Sequence, residues 1–410
     1  MSEIRKLIQE LCPSGVEFKK LGEICNINRG VRVVRKDLSE QGDYPVFQNS
    51  LTPLGYYDRS NYPANTTFII SAGAAGQIGF SKMDFWAADD CICLECPKKL
   101  SSRYLYHLLL HHNNYFISRV RKASVPRLSR LAIENFEIPV PPMEVQRKIV
   151  EILDNFSNLT AELEAELEER KRQYEYYRNL LLTFSPVANG AVTGGKHQIK
   201  DATENRGGQA DATWMKMSEI GVMIKGSGIQ KADFVDYGLP CIHYGQVHTY
   251  YGTFTDKTIS FIPQELFERC KKAQTGDLII ATTSEDVEAC CKATAWLGQN
   301  EVAISGDAHI FRHNQNPRYI AYYFQTECFA NQKRKYANGV KVVRVKGENL
   351  LKIEIPIPSL EEQQRIVDIL DRFETLTTDL QSGLPAEIAA RRQQYEYYRE
   401  QLLTFKRKSA

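Results

Sequence analysis

No stretch of this 410-residue chain approaches the roughly 20 consecutive apolar residues that a membrane-spanning helix needs, so no membrane partner is expected. Neither sign of charge dominates. Against 50 Asp and Glu, 52 Lys and Arg leave a formal net charge of +2, so overall charge singles out no partner. The amino terminus, MSEIRKLIQELCPSG, lacks the basic-then-apolar order of a secretory signal; it reads as a short amphipathic segment leading into a first domain, and a cytoplasmic location is expected. Ten cysteines are present, but a chain this long needs no disulfide framework, so reduced thiols are the better reading. Cys91 and Cys93 alternate with Ile92 and Leu94 as in a strand buried on both faces, without the paired spacing and fourth ligand of a zinc site. Adjacent Cys290 and Cys291 read as small buried residues.

A catalytic constellation is missing too. Val140-Pro141-Pro142-Met143 superficially resembles the Asn/Asp-Pro-Pro-Tyr loop of amino-methyltransferases, but it lacks the amide or acid for the adenine amino group and the aromatic for a flipped base. Gly73, Gly76 and Gly79 are not followed by the Lys-Ser/Thr of a phosphate-binding loop. Asp89, Asp90 and Glu95 lack the spaced acid-x-Lys pair of a metal nuclease. No catalytic residue, metal ligand or cofactor is assigned to the chain.

What the chain does have is an internal repeat. IPVPPMEVQRKIVEILDNFSNL (138 to 159) returns as IPIPSLEEQQRIVDILDRFETL (355 to 376), and YEYYRNLLLTF (174 to 184) returns as YEYYREQLLTF (395 to 405). Upstream the copies agree more loosely, FKKLGEICNINRG (18 to 30) against WMKMSEIGVMIKG (214 to 226). Short strands such as Thr67 to Ile70 and Leu278 to Ile280 fill each half, and the Pro-rich segments end it and start a helix. From Met143 to Phe184 apolar residues step by threes and fours as in a heptad seam; the second helix repeats the seam with a four-residue stutter near Gly383 and Pro385, where a kink is expected.

An α+β architecture follows: two similar globular domains separated by a pair of long antiparallel coiled-coil helices, related by a pseudo-twofold internal repeat. The expected divisions are 1–142 and 213–359 for the globular domains, 143–184 and 360–405 for the helices, 185–212 for a linker of small and polar residues, and 406–410 for a tail. Helices of about 40 residues would hold the two domains roughly 50 to 60 Å apart. A dimerisation coiled coil is the alternative use of such seams.

The heptad helices, the IPVP and IPIP segments and the repeated QYEYYR…LLTF ends resemble the repeats of type I restriction-modification specificity subunits, and the resemblance covers the whole chain in order. It implies that each globular domain is a target-recognition domain reading one half of a bipartite asymmetric double-stranded DNA site. It further implies that the helices set the unread spacer, that two methylation subunits dock on them, and that restriction subunits join the full complex. S-adenosylmethionine, ATP and Mg would then belong to the partners, whose chemistry is adenine-N6 methylation and ATP-dependent cleavage. A self-contained restriction or methylation enzyme, and a coiled-coil adaptor without DNA specificity, are the alternatives.

Phosphate contacts call for Lys and Arg, and base edges for amides, hydroxyls and Arg. Candidates in the first half are Arg29, Arg32, Gln48, Asn49, Ser71, Lys122 and Arg127; those in the second are Lys225, His243, Tyr244, Thr283, Ser284, Lys341 and Arg344. Arg127 and Arg344 occupy matching positions in basic segments just before IPVPP and IPIPS, which include Arg119, Arg130, Lys333 and Arg334. For subunit docking the duplicated face offers Tyr174, Tyr176, Tyr177 and Arg178, and again Tyr395, Tyr397, Tyr398 and Arg399.

Overall fold

The computed structural model describes residues 2–184, 212–339, 341–378 and 383–408, so the expected linker, but for Ala212, lies outside the described residues. The chain divides into two compact units, Met1–Ala165 with Ala386–Ala410, and Glu166–Pro385. They do not follow the serial order of the chain. Each joins one globular domain to part of the helix that follows it and part of the other long helix.

In the first unit the amphipathic amino-terminal helix Ser2–Leu11 buries Ile4 in the main core and packs Leu7 and Ile8 against it. The central sheet orders its strands Asn26–Arg29, Cys91–Glu95, Thr66–Ile70 and Ile78–Ser81, all antiparallel. Alternation along Cys91–Glu95 works as read from sequence, because Ile92 and Leu94 enter one core cluster and Cys91 and Cys93 another. A smaller sheet of Gly55–Tyr57, Tyr44–Phe47 and Trp86–Ala87 completes the frame.

The second unit repeats the plan with a five-stranded sheet. Its strands are Gly221–Lys225, Ala308–His313, Leu278–Ala281, Lys292–Trp296 and Phe254–Thr255. A four-stranded sheet stands beside it. All ten cysteines are free, and Cys290 and Cys291 are buried. In both units the ends of the globular domain are tied together. Phe18–Lys20 pairs with Glu137–Pro139, and Thr213–Lys216 pairs with Glu354–Ile357, so the first half of each Pro-rich motif is a strand and only its end starts the helix.

The first long helix runs Met143–Leu182; the second is described as Leu360–Thr378 and Leu384–Leu403, with Gly383 a bend and residues 379–382 outside the described residues. The bend at Gly383 falls where the stutter predicted a kink, and Pro385 sits in the first turn of the helix that follows, a position that tolerates it. Leu380 of the expected seam lies outside the described residues. Seam residues Ile149 and Leu153 are fully buried, while Leu163 and Leu167 are half-buried, as one shared face of a helix requires. In the first unit Phe156 stacks on Tyr398 at 5.0 Å and Glu164 binds Arg392 at 2.5 Å, which makes the local pairing antiparallel.

Two repeated devices fasten each domain to its helix. The amide of Gln146, wholly buried, accepts from Ser101 N–H at 2.8 Å and donates to the carbonyls of Lys99 and Pro141 at 3.0 and 2.7 Å. Gln363 accepts from Asn316 N–H at 2.9 Å and donates to Pro358 O at 2.9 Å. About two turns on, Asp154 accepts from Arg103 at 2.8 Å and His107 at 2.7 Å, and Asp371 accepts from Arg318 at 2.5 Å and Tyr322 at 2.7 Å. Burial opposes ionisation of Asp154, but the hydrogen bonds from His107 and Arg103 outweigh it and hold the carboxyl at about 2.

Candidate nucleic-acid interface

In the first unit the pairing of Asn26–Arg29 with Cys91–Glu95 sets Arg29 opposite Ile92. The neighbouring strand ends at Ile70, and Ser71 leaves it with its N–H and Oγ both donating to Asp90 O, at 2.7 and 2.9 Å. Leu128 N–H then donates to Ser71 O at 2.8 Å, which lays Arg127 alongside. The second unit repeats this bond by bond. Lys225 stands opposite His309, Thr282 N–H donates to Asp307 O at 3.2 Å, and Val345 N–H donates to Thr282 O at 3.1 Å, which lays down Arg344.

The result is a cleft at the same place in both units. In the first it has a volume of about 220 Å³ and is lined by Arg29, Ser71, Ala72, Ile92, Arg127, Leu128 and Arg130. The larger one, about 560 Å³, is lined by Lys225, Thr282, Thr283, Asp307, His309, Arg344 and Lys346 among others. Arg29 donates from Nε to the Asp89 carbonyl and lies 3.8 Å from Asp90, while Arg344 lies 3.8 Å from Asp307. Ion pairs this open contribute little, so Arg344 is available to an incoming anion, while Arg29 is anchored through its Nε and offers only its terminal amino groups. His309 is pushed below its ordinary value by burial and by the charge of Lys225, so its ring is neutral at pH 7. Its Nδ1 lies 3.0 Å from Thr282 Oγ1.

Of the residues proposed from sequence, the structure brings Arg29, Ser71 and Arg127 into one cleft and Lys225, Thr283 and Arg344 into the other. Lys122 and Lys341 are exposed on short hairpins beside them, and Ser284 pairs with Val343 at the base of the second hairpin. Asn49 O accepts from Ala74 N–H at 2.9 Å, which ties the loop carrying Gln48 and Asn49 to the turn after Ser71. Arg32 is exposed outside the cleft. His243 is instead buried as a helix cap, its Nδ1 accepting from Gly245 N–H at 3.2 Å, with the ring of Tyr244 at 4.6 Å. Lys333 is buried as well, donating to the carbonyls of Glu288 and Cys290. Arg334 pairs with Glu288, Arg130 with Glu134, and Arg119 lies over the ring of Tyr115.

The docking face divides likewise. Tyr174 is buried under Arg178, which reaches Gln325 at 3.3 Å, and Tyr177 stacks on Phe373 at 5.4 Å. In the first unit Tyr395 lies 3.4 Å from His107 Nδ1 and carries Arg399 over its ring, while Tyr398 holds Phe156. Tyr174 and Tyr395 pack against domain residues, while Tyr177 and Tyr398 pack one long helix on the other. Tyr176 and Tyr397, at 61% and 57% exposure, are the repeated tyrosines that face solvent most, with Tyr177 exposed at 40%.

Sequence reasoning weighed Asp90 only as a nuclease acid, and it missed Asp307 and His309. Asp90 precedes Arg127 by the same interval as Asp307 precedes Arg344, and that matched spacing is the signal that would have found both aspartates. His309 sits inside a strand and carried no signal beyond alternation.

Comparison with known proteins agrees with this duplicated geometry. A family model described as the type I restriction modification DNA specificity domain matches residues 13–170 and 212–390. A putative type I restriction enzyme specificity subunit of Haemophilus influenzae is 29% identical, over 99% of this chain and 100% of the relative. A type I restriction enzyme specificity subunit of Escherichia coli is also 29% identical, over 99% and 98%. The S subunit of the type I system of M. genitalium shares the fold, with a TM-score of 0.59 at 12% identity over 95% of this chain and 96% of that one. A chain from a structure concerned with complex assembly and conformational transition of a type I system gives 0.57 at 15% identity, over 95% and 97%. No helix among the described residues is long and apolar enough to cross a membrane. With both clefts falling inside the matched segments, the chain belongs to the type I restriction-modification DNA specificity subunits.

Proposed function

We propose that each unit reads one half of a bipartite asymmetric DNA site, and that the chain itself performs no chemistry. The observation that carries this reading is the repeated cleft. Arg127 and Arg344 are delivered by the same backbone bonds onto the same frame, while the positions around them differ: Ile92 against His309, and Ser71 against Thr282. Cations at a shared position suit phosphates, which are alike at every half-site; differing neighbours suit base edges, which are not. Two methylation subunits would dock on the long helices through the outward Tyr176 and Tyr397. They would bring S-adenosylmethionine and direct adenine-N6 methylation, and restriction subunits would add ATP- and Mg-dependent cleavage in the cytoplasm.

The test is equilibrium binding of the complex with its methylation subunits to a duplex carrying its methylated motif, across a salt series. Affinity falls steeply with salt, and Arg127→Ala or Arg344→Ala each lowers affinity and flattens the salt slope by about 1. A slope that neither substitution changes would remove the clefts from the interface. Absent or salt-insensitive binding would favour an adaptor, and binding of S-adenosylmethionine by the isolated chain would favour a self-contained enzyme.

A further inference from the structure

Beside each cleft stands a short hairpin, closed at Arg121 and Arg127 in the first unit and at Asn338 and Arg344 in the second. In the first, Arg121 N–H donates to Arg127 O at 2.8 Å and Arg127 N–H to Arg121 O at 3.2 Å. In the second, Asn338 N–H donates to Arg344 O at 3.1 Å and Arg344 N–H to Asn338 O at 2.9 Å. Each base is also stitched to the segment leaving the central strand: Ala72 bridges Arg127 and Gly73 N–H donates to Pro126 O, while Thr283 pairs with Arg344. The bases are thus held by backbone bonds.

Two residues before the closing arginine each tip carries a valine facing solvent, Val125 at 48% exposure and Val342 at 49%. The rest of the tip differs, RKASVPR in one unit and NGVKVVR in the other, and neither contains a carboxylate. A β-branched apolar side chain held in water among cations fits a polyanion that also presents an apolar surface. Duplex DNA has both, in its phosphates and in the stacked faces of its bases.

The repeated valine also indicates which contact is made. In the major groove an apolar side chain singles out the thymine methyl and so reads sequence. The two halves read different sequences yet share this residue, so its contact must be indifferent to sequence. Apolar side chains that part neighbouring base pairs from the minor groove meet that condition, since every step has stacked faces.

Resting on the recognition reading above, we propose that Val125 and Val342 are wedges, one in each half-site, that enter the minor groove and unstack a base step while Arg127 and Arg344 hold the adjoining backbone. Unstacking beside the target serves a partner that acts on a base, because that base has to leave the helix to be reached.

The experiment uses the complex of the full chain with its methylation subunits, bound to duplexes of the methylated motif with 2-aminopurine scanned through each half-site outside the target adenines. The wild-type complex raises 2-aminopurine fluorescence several-fold at one step in each half-site. Val125→Ser abolishes the rise in the first half-site alone and Val342→Ser in the second alone, while Val125→Ile and Val342→Ile retain it. Both side chains are exposed, so folding is not at stake. Tight binding by the wild type with no rise, or with a rise that the serine variants keep, overturns the wedge and leaves the recognition reading intact. Failure of the wild type to bind the duplex overturns both.

Discussion

His313 ends a central strand of the second unit with its ring against Phe311, its Nδ1 accepting from Gln315 N–H at 3.2 Å and its Nε2 buried without a partner. Burial pushes the imidazole down to about 4. A histidine depressed in the folded state takes up its proton in the unfolded state first, so stability is lost as pH falls from about 6.5 towards about 4. Thermal unfolding of the full chain between pH 7 and 4 therefore shows a fall in Tm that His313→Asn reduces, since an amide can accept from Gln315 without titrating. An identical pH profile in the variant would assign the acid sensitivity elsewhere. At this scale the sequence was partly legible. Arg127 and Arg344 were found because a basic segment recurred at one register. His243 and Lys333 were misplaced because a polar residue after a strand looks the same whether it caps a helix, satisfies buried carbonyls or faces a ligand; only backbone geometry separates these.

At the scale of the element, the long helices were the most readable part of the chain, because a heptad pattern over forty residues has few other solutions. The bend at the stutter was legible for the same reason, with Gly383 and Pro385 to mark it. Less legible was the fate of each repeated tyrosine. Within YEYYR, Tyr174 is buried in a core, Tyr177 meets Phe373 of the other long helix and Tyr176 turns outward, and that depends on what packs against each face. The helix also carries a near-repeat of four residues, Thr160 to Leu163 and Glu164 to Leu167. Deleting Glu164 to Leu167 shortens it by about 6 Å, nearly two base-pair steps, and removes the partner of Arg392. Methylation mapping of the variant then gives the same two half-sites with a changed unread spacer. Altered half-site sequences would mean that the helix takes part in reading.

At the scale of the whole molecule the governing fact is duplication with divergence. The bonds that place Arg127 and Arg344 are the same, as are the glutamine and aspartate fastenings of each domain to its helix, so the scaffold is shared. The cleft linings are not: one holds Ile92 and Arg130, the other His309, Asp307 and Lys346. Such a molecule is suited to the proposed reading of two different short sequences at once. The most direct test is base-resolution adenine-methylation mapping in a host free of related systems, with the methylation subunit expressed alone and together with this chain. Joint expression is predicted to produce one motif of two dissimilar halves flanking an unread spacer, absent when the methylation subunit is expressed alone. A motif that appears without this chain, or one that is contiguous and unsplit, would contradict it.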